Sequence, residues 1–299
     1  MAKKKIKSRR SRAEYLYRKY LVLPFKIFNI STHDAVNQDG FEHAGYLAFL
    51  ILLSLFPFLI FLITIIGFFG GSESGIEIVK NVLRLTPDEV AAALSPRIDE
   101  IIYGPKQSFL TIAIIGVIWT ASSSVEGCRT VLNRAYRVEF PPPYLFRRFI
   151  SIVQFFIISI LITLGITTFI ILPAFLKGVL GNYYANIDIL SNYYLKNLPL
   201  LFILFTSTSL LYYVLPNVKQ KYSQTIPGTI LAIVLWSILL KLFALYISYY
   251  PQINLVYGSL TGIILSLLFF YLVSFVFILG AEFNYHYHRV YHIMLGSHS

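Results

Sequence analysis

The chain alternates between long apolar runs and short polar ones. Apolar stretches of about 20 residues are long enough to cross the hydrocarbon core as helices. Six qualify: residues 44–69, 108–125, 149–173, 198–215, 227–247 and 258–281. The runs are continuous and lack the period-two alternation of barrel strands, so they predict helices rather than a barrel. The only full charge within them is Lys241.

Upstream of the first run, Leu16, Tyr20, Leu23 and Ile27 recur at spacings of 4, 3 and 4. They line one face, opposite Arg18 and Lys19, and predict an amphipathic helix over residues 13–30 lying in the membrane interface, bent near Pro24. The loop 70–107 carries Thr86-Pro87-Asp88-Glu89, a capping-box pattern with Pro at the first helical position. Short surface helices are expected there. The sixth run opens with Gly258, Gly262 and Ser266 four apart, and the fifth has Gly228 and Ala232 at the same spacing. Both predict close helix crossings.

Composition fits this reading. Hydrophobic residues make up 57% of the 299 positions and charged residues only 13%, about half the share usual in soluble domains. The predicted class is an all-α integral membrane protein with six transmembrane helices. The organisation is a basic tail over 1–43, a membrane domain over 44–285 and a short tail over 286–299. One cysteine, Cys128, excludes an internal disulfide framework.

Charge then orients the chain. Loops on one side hold 18 Lys and Arg; those on the other hold 6. The positive-inside rule puts both termini in the cytoplasm. Residues 3–12 carry seven basic side chains. Directly before membrane spans, they are expected to meet anionic lipid headgroups rather than nucleic acid. Lys19, Pro24 and Lys26 interrupt the following apolar segment, so no cleavable signal is expected.

Candidate chemistry is sparse. Lys241 is either a snorkelling residue near the outer face or part of a polar cavity. The run SSVEGCRTVLNRAYRV is expected to continue the second helix into the cytoplasm, with Glu126, Thr130, Asn133 and Arg137 on one face and Arg129 close by. Glu282 and Asn284 mark the inner end of the sixth span. Arg129 and Arg134 are the expected partners of Glu282. His286 and Arg289 share its face. His288 and His292 stand four apart, as helical metal ligands do, but no third ligand is evident, so no metal is expected. The Tyr-His alternation of this stretch instead suits an interfacial belt. His33-Asp34 and Glu42-His43 read as isolated pairs. Neither a clustered metal site nor an acid–base pair for phosphodiester cleavage is evident. No Walker motif is present, and no enzyme activity or cofactor is expected.

Four stretches carry a resemblance: QDGFEHAGYLAFLILLSLFPFL, TASSSVEGCRTVLNRAY, LPNVKQKYSQTIPGTILAIVLW and YGSLTGIILSLLFFYLVSFVFILGAEFN. In this order they resemble the YihY/BrkB family of bacterial inner-membrane proteins over roughly residues 30–285. The resemblance implies six spans in a bacterial cytoplasmic membrane. Family members have carried the labels virulence factor, for serum resistance, and ribonuclease BN. They have also been proposed as transporters of envelope lipids or solutes. Positions matching the family motifs include Asp39, Gly40, Ser54, Asn133, Tyr136, Asn217, Gly228, Trp236, Gly280, Glu282 and Asn284, with no assigned roles. Lys241 and the histidines lie outside the pattern. The reading that follows is a transporter of a lipid or anionic solute. The alternative is a non-transporting envelope or scaffold protein.

Overall fold

The computed structural model describes residues 23–69, 110–161, 193–249 and 260–296. Among them the regular elements are all helical. In chain order they are α1 (Leu23–Asn37), α2 (Gly40–Phe69), α3 (Leu110–Ala135), α4 (Tyr144–Leu161), α5 (Tyr193–Val214), a short 3₁₀ turn (Tyr222–Gln224), α6 (Ile226–Tyr249) and α7 (Thr261–Gly296). Among the described residues, three segments are long and apolar enough to cross a membrane: Tyr144–Leu161, Tyr222–Tyr249 and Thr261–Val290. Gly40–Leu55 and Leu201–Val214 are shorter apolar helices. The expected helices around Thr86 and the basic segment 3–12 lie outside the described residues.

Two compact units form. The first gathers Met1–Ala48, Arg129–Pro141 and Ser207–Ser299; the second gathers Phe49–Cys128 and Pro142–Thr206.

In the first unit, α7 is the central element, with α1 and α6 packed on it. Ala44, Val131 and Ile278 form a small core supported by Tyr271 and Phe275. Phe41 stacks on Phe275 with ring centroids 4.5 Å apart. On α6, Ile230, Val234, Ile238, Leu242 and Leu245 are all exposed, at spacings of four, four, four and three. Such an outward apolar stripe suits hydrocarbon and would be a liability in water.

The α6–α7 crossing depends on glycine. A Cβ at Gly228 would run into the Gly280 carbonyl oxygen, and one at Gly280 would meet Tyr212 and Ala232. Without a Cβ, the two backbones approach closely. The small-residue stripe predicted at the start of the sixth run does not do this. Gly262 is exposed, and a Cβ there would meet nothing within 4 Å. Its neighbour in that stripe, Gly258, lies outside the described residues.

Helix α1 also departs from expectation. It continues to Asn37, past residue 30; the expected bend near Pro24 adjoins residues 13–22, which lie outside the described residues. Ile27, assigned to the interfacial stripe, is only 1% exposed. Burial against protein replaces the predicted contact with lipid for this residue. The α1–α2 turn is built by Asp39 with φ at 56°, followed by Gly40. A Cβ at Gly40 would strike the Ala35 carbonyl, so the close turn requires glycine.

In the second unit, α3 and α4 share a buried polar contact. Arg148 lies 4.3 Å from the centroid of the Trp119 ring. It also donates to the Trp119 carbonyl and to Ser123 Oγ.

Candidate functional site

Helix α3 does not continue through Arg137 as the sequence suggested. It closes at Ala135 with a Schellman motif. The Arg137 amide donates to the Arg134 carbonyl at 3.0 Å, and the Val138 amide to the Asn133 carbonyl at 2.8 Å. This motif needs a left-handed residue after the helix, normally glycine. Here it is Arg137, with φ at 58°. A side chain there costs about 1–2 kcal/mol.

The strained position aims the guanidinium at α7. Nη1 donates to Glu282 Oε1 at 2.8 Å and Nη2 to Oε2 at 2.9 Å, a bidentate pair. Nη1 also donates to the Ala135 carbonyl at 2.7 Å, capping the helix it follows. The guanidinium carbon lies 4.9 Å from the Tyr285 ring centroid. Glu282 is thus paired with Arg137, and not with Arg129 or Arg134. Arg134 instead pairs with Asp39, and Arg129 is buried.

Asp34 completes the group from α1. Its Oδ2 lies 3.4 Å from Arg137 Nη2 and 3.0 Å from His286 Nε2. His286 stands one turn after Glu282, with Nε2 3.8 Å from Glu282 Oε2. Asp34, Glu282 and His286 each bring one ligand-type atom within 4.8 Å of the others. The pair His33-Asp34 is therefore not isolated. No local pattern around Asp34 announces this role, because its partners come from the far end of the chain.

Other sequence candidates sit close by. Asn133 and Asn217 pair reciprocally: Asn133 Nδ2 donates to Asn217 Oδ1 at 2.9 Å, and the Asn217 amide donates to Asn133 Oδ1 at 2.7 Å. Asn284 Oδ1 accepts from the Gly228 amide at 2.6 Å, satisfying a donor in the first turn of α6. Its Nδ2 donates to Tyr136 Oη at 3.3 Å. Burial pushes the Tyr136 phenol well above its ordinary range. Trp236 Nε1 donates to the Val273 carbonyl at 3.0 Å.

Two candidates lie elsewhere. Glu126, in the second unit, accepts from Ser151 Oγ at 2.6 Å and lies 3.6 Å from Arg147 Nε. Lys241 is exposed on the surface of α6.

The matched positions Asp39, Asn133, Tyr136, Asn217, Gly228, Gly280, Glu282 and Asn284 thus serve one connected purpose. They join the end of α3, the α1–α2 turn and the start of α6 to the part of α7 where its apolar run ends. Comparison with known sequences agrees. The family described as Virulence factor BrkB matches residues 32–295. The chain belongs to the BrkB family. Among BrkB relatives, the ribonuclease-like protein YfkH of Bacillus subtilis is 28% identical over 253 residues, covering 83% of this chain and 90% of its own. A UPF0761 membrane protein of Vibrio campbellii is 28% identical over 262 residues, covering 84% and 77%. One from Pseudoalteromonas translucida is 28% identical over 256 residues, covering 80% and 78%. No solved structure matches the chain.

Proposed function

We propose that this BrkB-family membrane protein is a transporter of an envelope lipid or anionic solute in the bacterial cytoplasmic membrane. The observation that carries the reading is the bidentate Arg137–Glu282 pair with Asp34 and His286, where the apolar run of α7 ends. Ionisable groups gathered on membrane helices are costly to keep and commonly mark substrate or ion pathways. In this reading the chain crosses the membrane six times, with both termini cytoplasmic, as the 18 to 6 division of basic residues supports. The basic inner face would meet anionic headgroups. The ribonuclease-like name of the Bacillus relative is not carried over to this chain.

A second reading draws on the same pair. Arg137 and Glu282 satisfy each other within the chain, which equally suits a static scaffold that acts through partners. The discriminating experiment reconstitutes the purified protein in liposomes and follows fluorescent phospholipid and anion movement. Transport predicts rates above those of empty liposomes. Equal rates, with a protein partner recovered in stoichiometric amount, would favour the scaffold.

A further inference from the structure

We propose that Asp34, Glu282 and His286 bind one divalent transition-metal ion, with Arg137 holding the carboxylates in place around it. This is the site that carries the transport reading, but metal binding there does not depend on transport; four observations support it.

The first is spacing. Metal–oxygen and metal–nitrogen bonds of about 2.1 Å put neighbouring ligands about 3.4 Å apart in a tetrahedral site and about 3.0 Å apart in an octahedral one. His286 Nε2 lies 3.0 Å from Asp34 Oδ2 and 3.8 Å from Glu282 Oε2. All three ligand atoms lie within 4.8 Å of one another, so the group has to draw in slightly to seat an ion.

The second is an unmet need. His286 is only 8% exposed, and its Nε2 has no hydrogen-bond partner. Its nearest polar atom is Asp34 Oδ2 at 3.0 Å, a contact that pairs opposite charges only when the ring is protonated. A buried ring nitrogen left so is costly. A metal ion would accept its lone pair directly and would also bridge it to the facing carboxylate.

The third is charge. Among the described residues, Asp34 and Glu282 put two carboxylates against the one guanidinium in contact with them, Arg137, with Arg289 the next cation. Arg137 does not block the ion. Each Glu282 oxygen accepts one hydrogen bond from the guanidinium and retains a second lone pair. Outer hydrogen bonds of this kind orient metal-binding carboxylates.

The fourth is chemistry and access. Two carboxylates and one imidazole suit manganese, iron, cobalt or zinc in the divalent state, rather than soft copper or all-oxygen calcium. The Asp34 side chain is about one-third exposed, which leaves an entry path. Remaining coordination positions would be open to water or substrate.

The test uses the full-length protein in detergent, stripped with chelator and titrated with Co²⁺, read by visible absorption and by thermal stability. One saturable site per chain is expected, with a rise in melting temperature. His286→Asn and Asp34→Asn should each weaken binding at least about tenfold, while His288→Asn leaves it unchanged. If His286→Asn fails to fold, Asp34→Asn decides, since its side chain is partly solvated. Absence of saturable binding overturns the proposal. So does binding that neither Asp34→Asn nor His286→Asn weakens, which would belong to the other C-terminal histidines.

Discussion

Arg137 and Glu282 form a bidentate ion pair between a strained turn and a buried helix position. The Arg137 side chain is 25% exposed and that of Glu282 only 2%. The burdens of the two partners are therefore unequal. Arg137→Gln would leave a carboxylate buried without its counter-ion, at a cost of about 3–5 kcal/mol. Glu282→Gln leaves a cation that can reach water and should cost less. Melting of the two variants in mild detergent checks the order.

Arg137→Gly separates backbone from side chain at the same site. Glycine relieves the left-handed conformation, worth about 1–2 kcal/mol, yet loses the ion pair. It should melt below the natural protein and above Arg137→Gln.

The α6–α7 crossing predicts a sharp contrast among glycines. Gly228→Ala and Gly280→Ala each place a methyl group against a rigid neighbour and should lower stability by at least about 1–3 kcal/mol. Gly262→Ala meets open space and should be neutral or slightly stabilising through its helix propensity. Parallel melting curves distinguish the outcomes.

Asn284→Ala should be more damaging than Tyr136→Phe. The first leaves the Gly228 amide, in the first turn of α6, without its acceptor, at about 1–3 kcal/mol. The second removes only the acceptor of a 3.3 Å contact. Amide exchange at the start of α6 should rise in Asn284→Ala and stay near normal in Tyr136→Phe.

Much of this architecture was legible in the sequence. The fifth apolar run, 227–247, lies within α6, and the sixth runs into α7, because continuous apolar length leaves little freedom. Glu282 and Asn284 stood out as polar residues ending such a run. Their partners did not. An uninterrupted helical register carried Arg137 along the face of Glu126, whereas the Schellman turn breaks that register and redirects the side chain. Normally a glycine would announce the turn, and here an arginine occupies it. Asp34 was obscured for a different reason: its relation to His286 is purely tertiary. The stripe at Gly262 misled because small residues four apart permit close packing without specifying a neighbour. The Gly228–Gly280 contact instead joins the consecutive helices α6 and α7.

The central claim is that the polar group on α7 around Glu282 is a working site and not only a structural clasp. Glu282→Gln tests it most directly in reconstituted liposomes, with melting used to confirm that the variant remains folded. The account predicts that the natural protein moves anionic phospholipid or a small anion faster than empty liposomes, and that folded Glu282→Gln loses most of that flux. Flux in Glu282→Gln equal to that of the natural protein would contradict it.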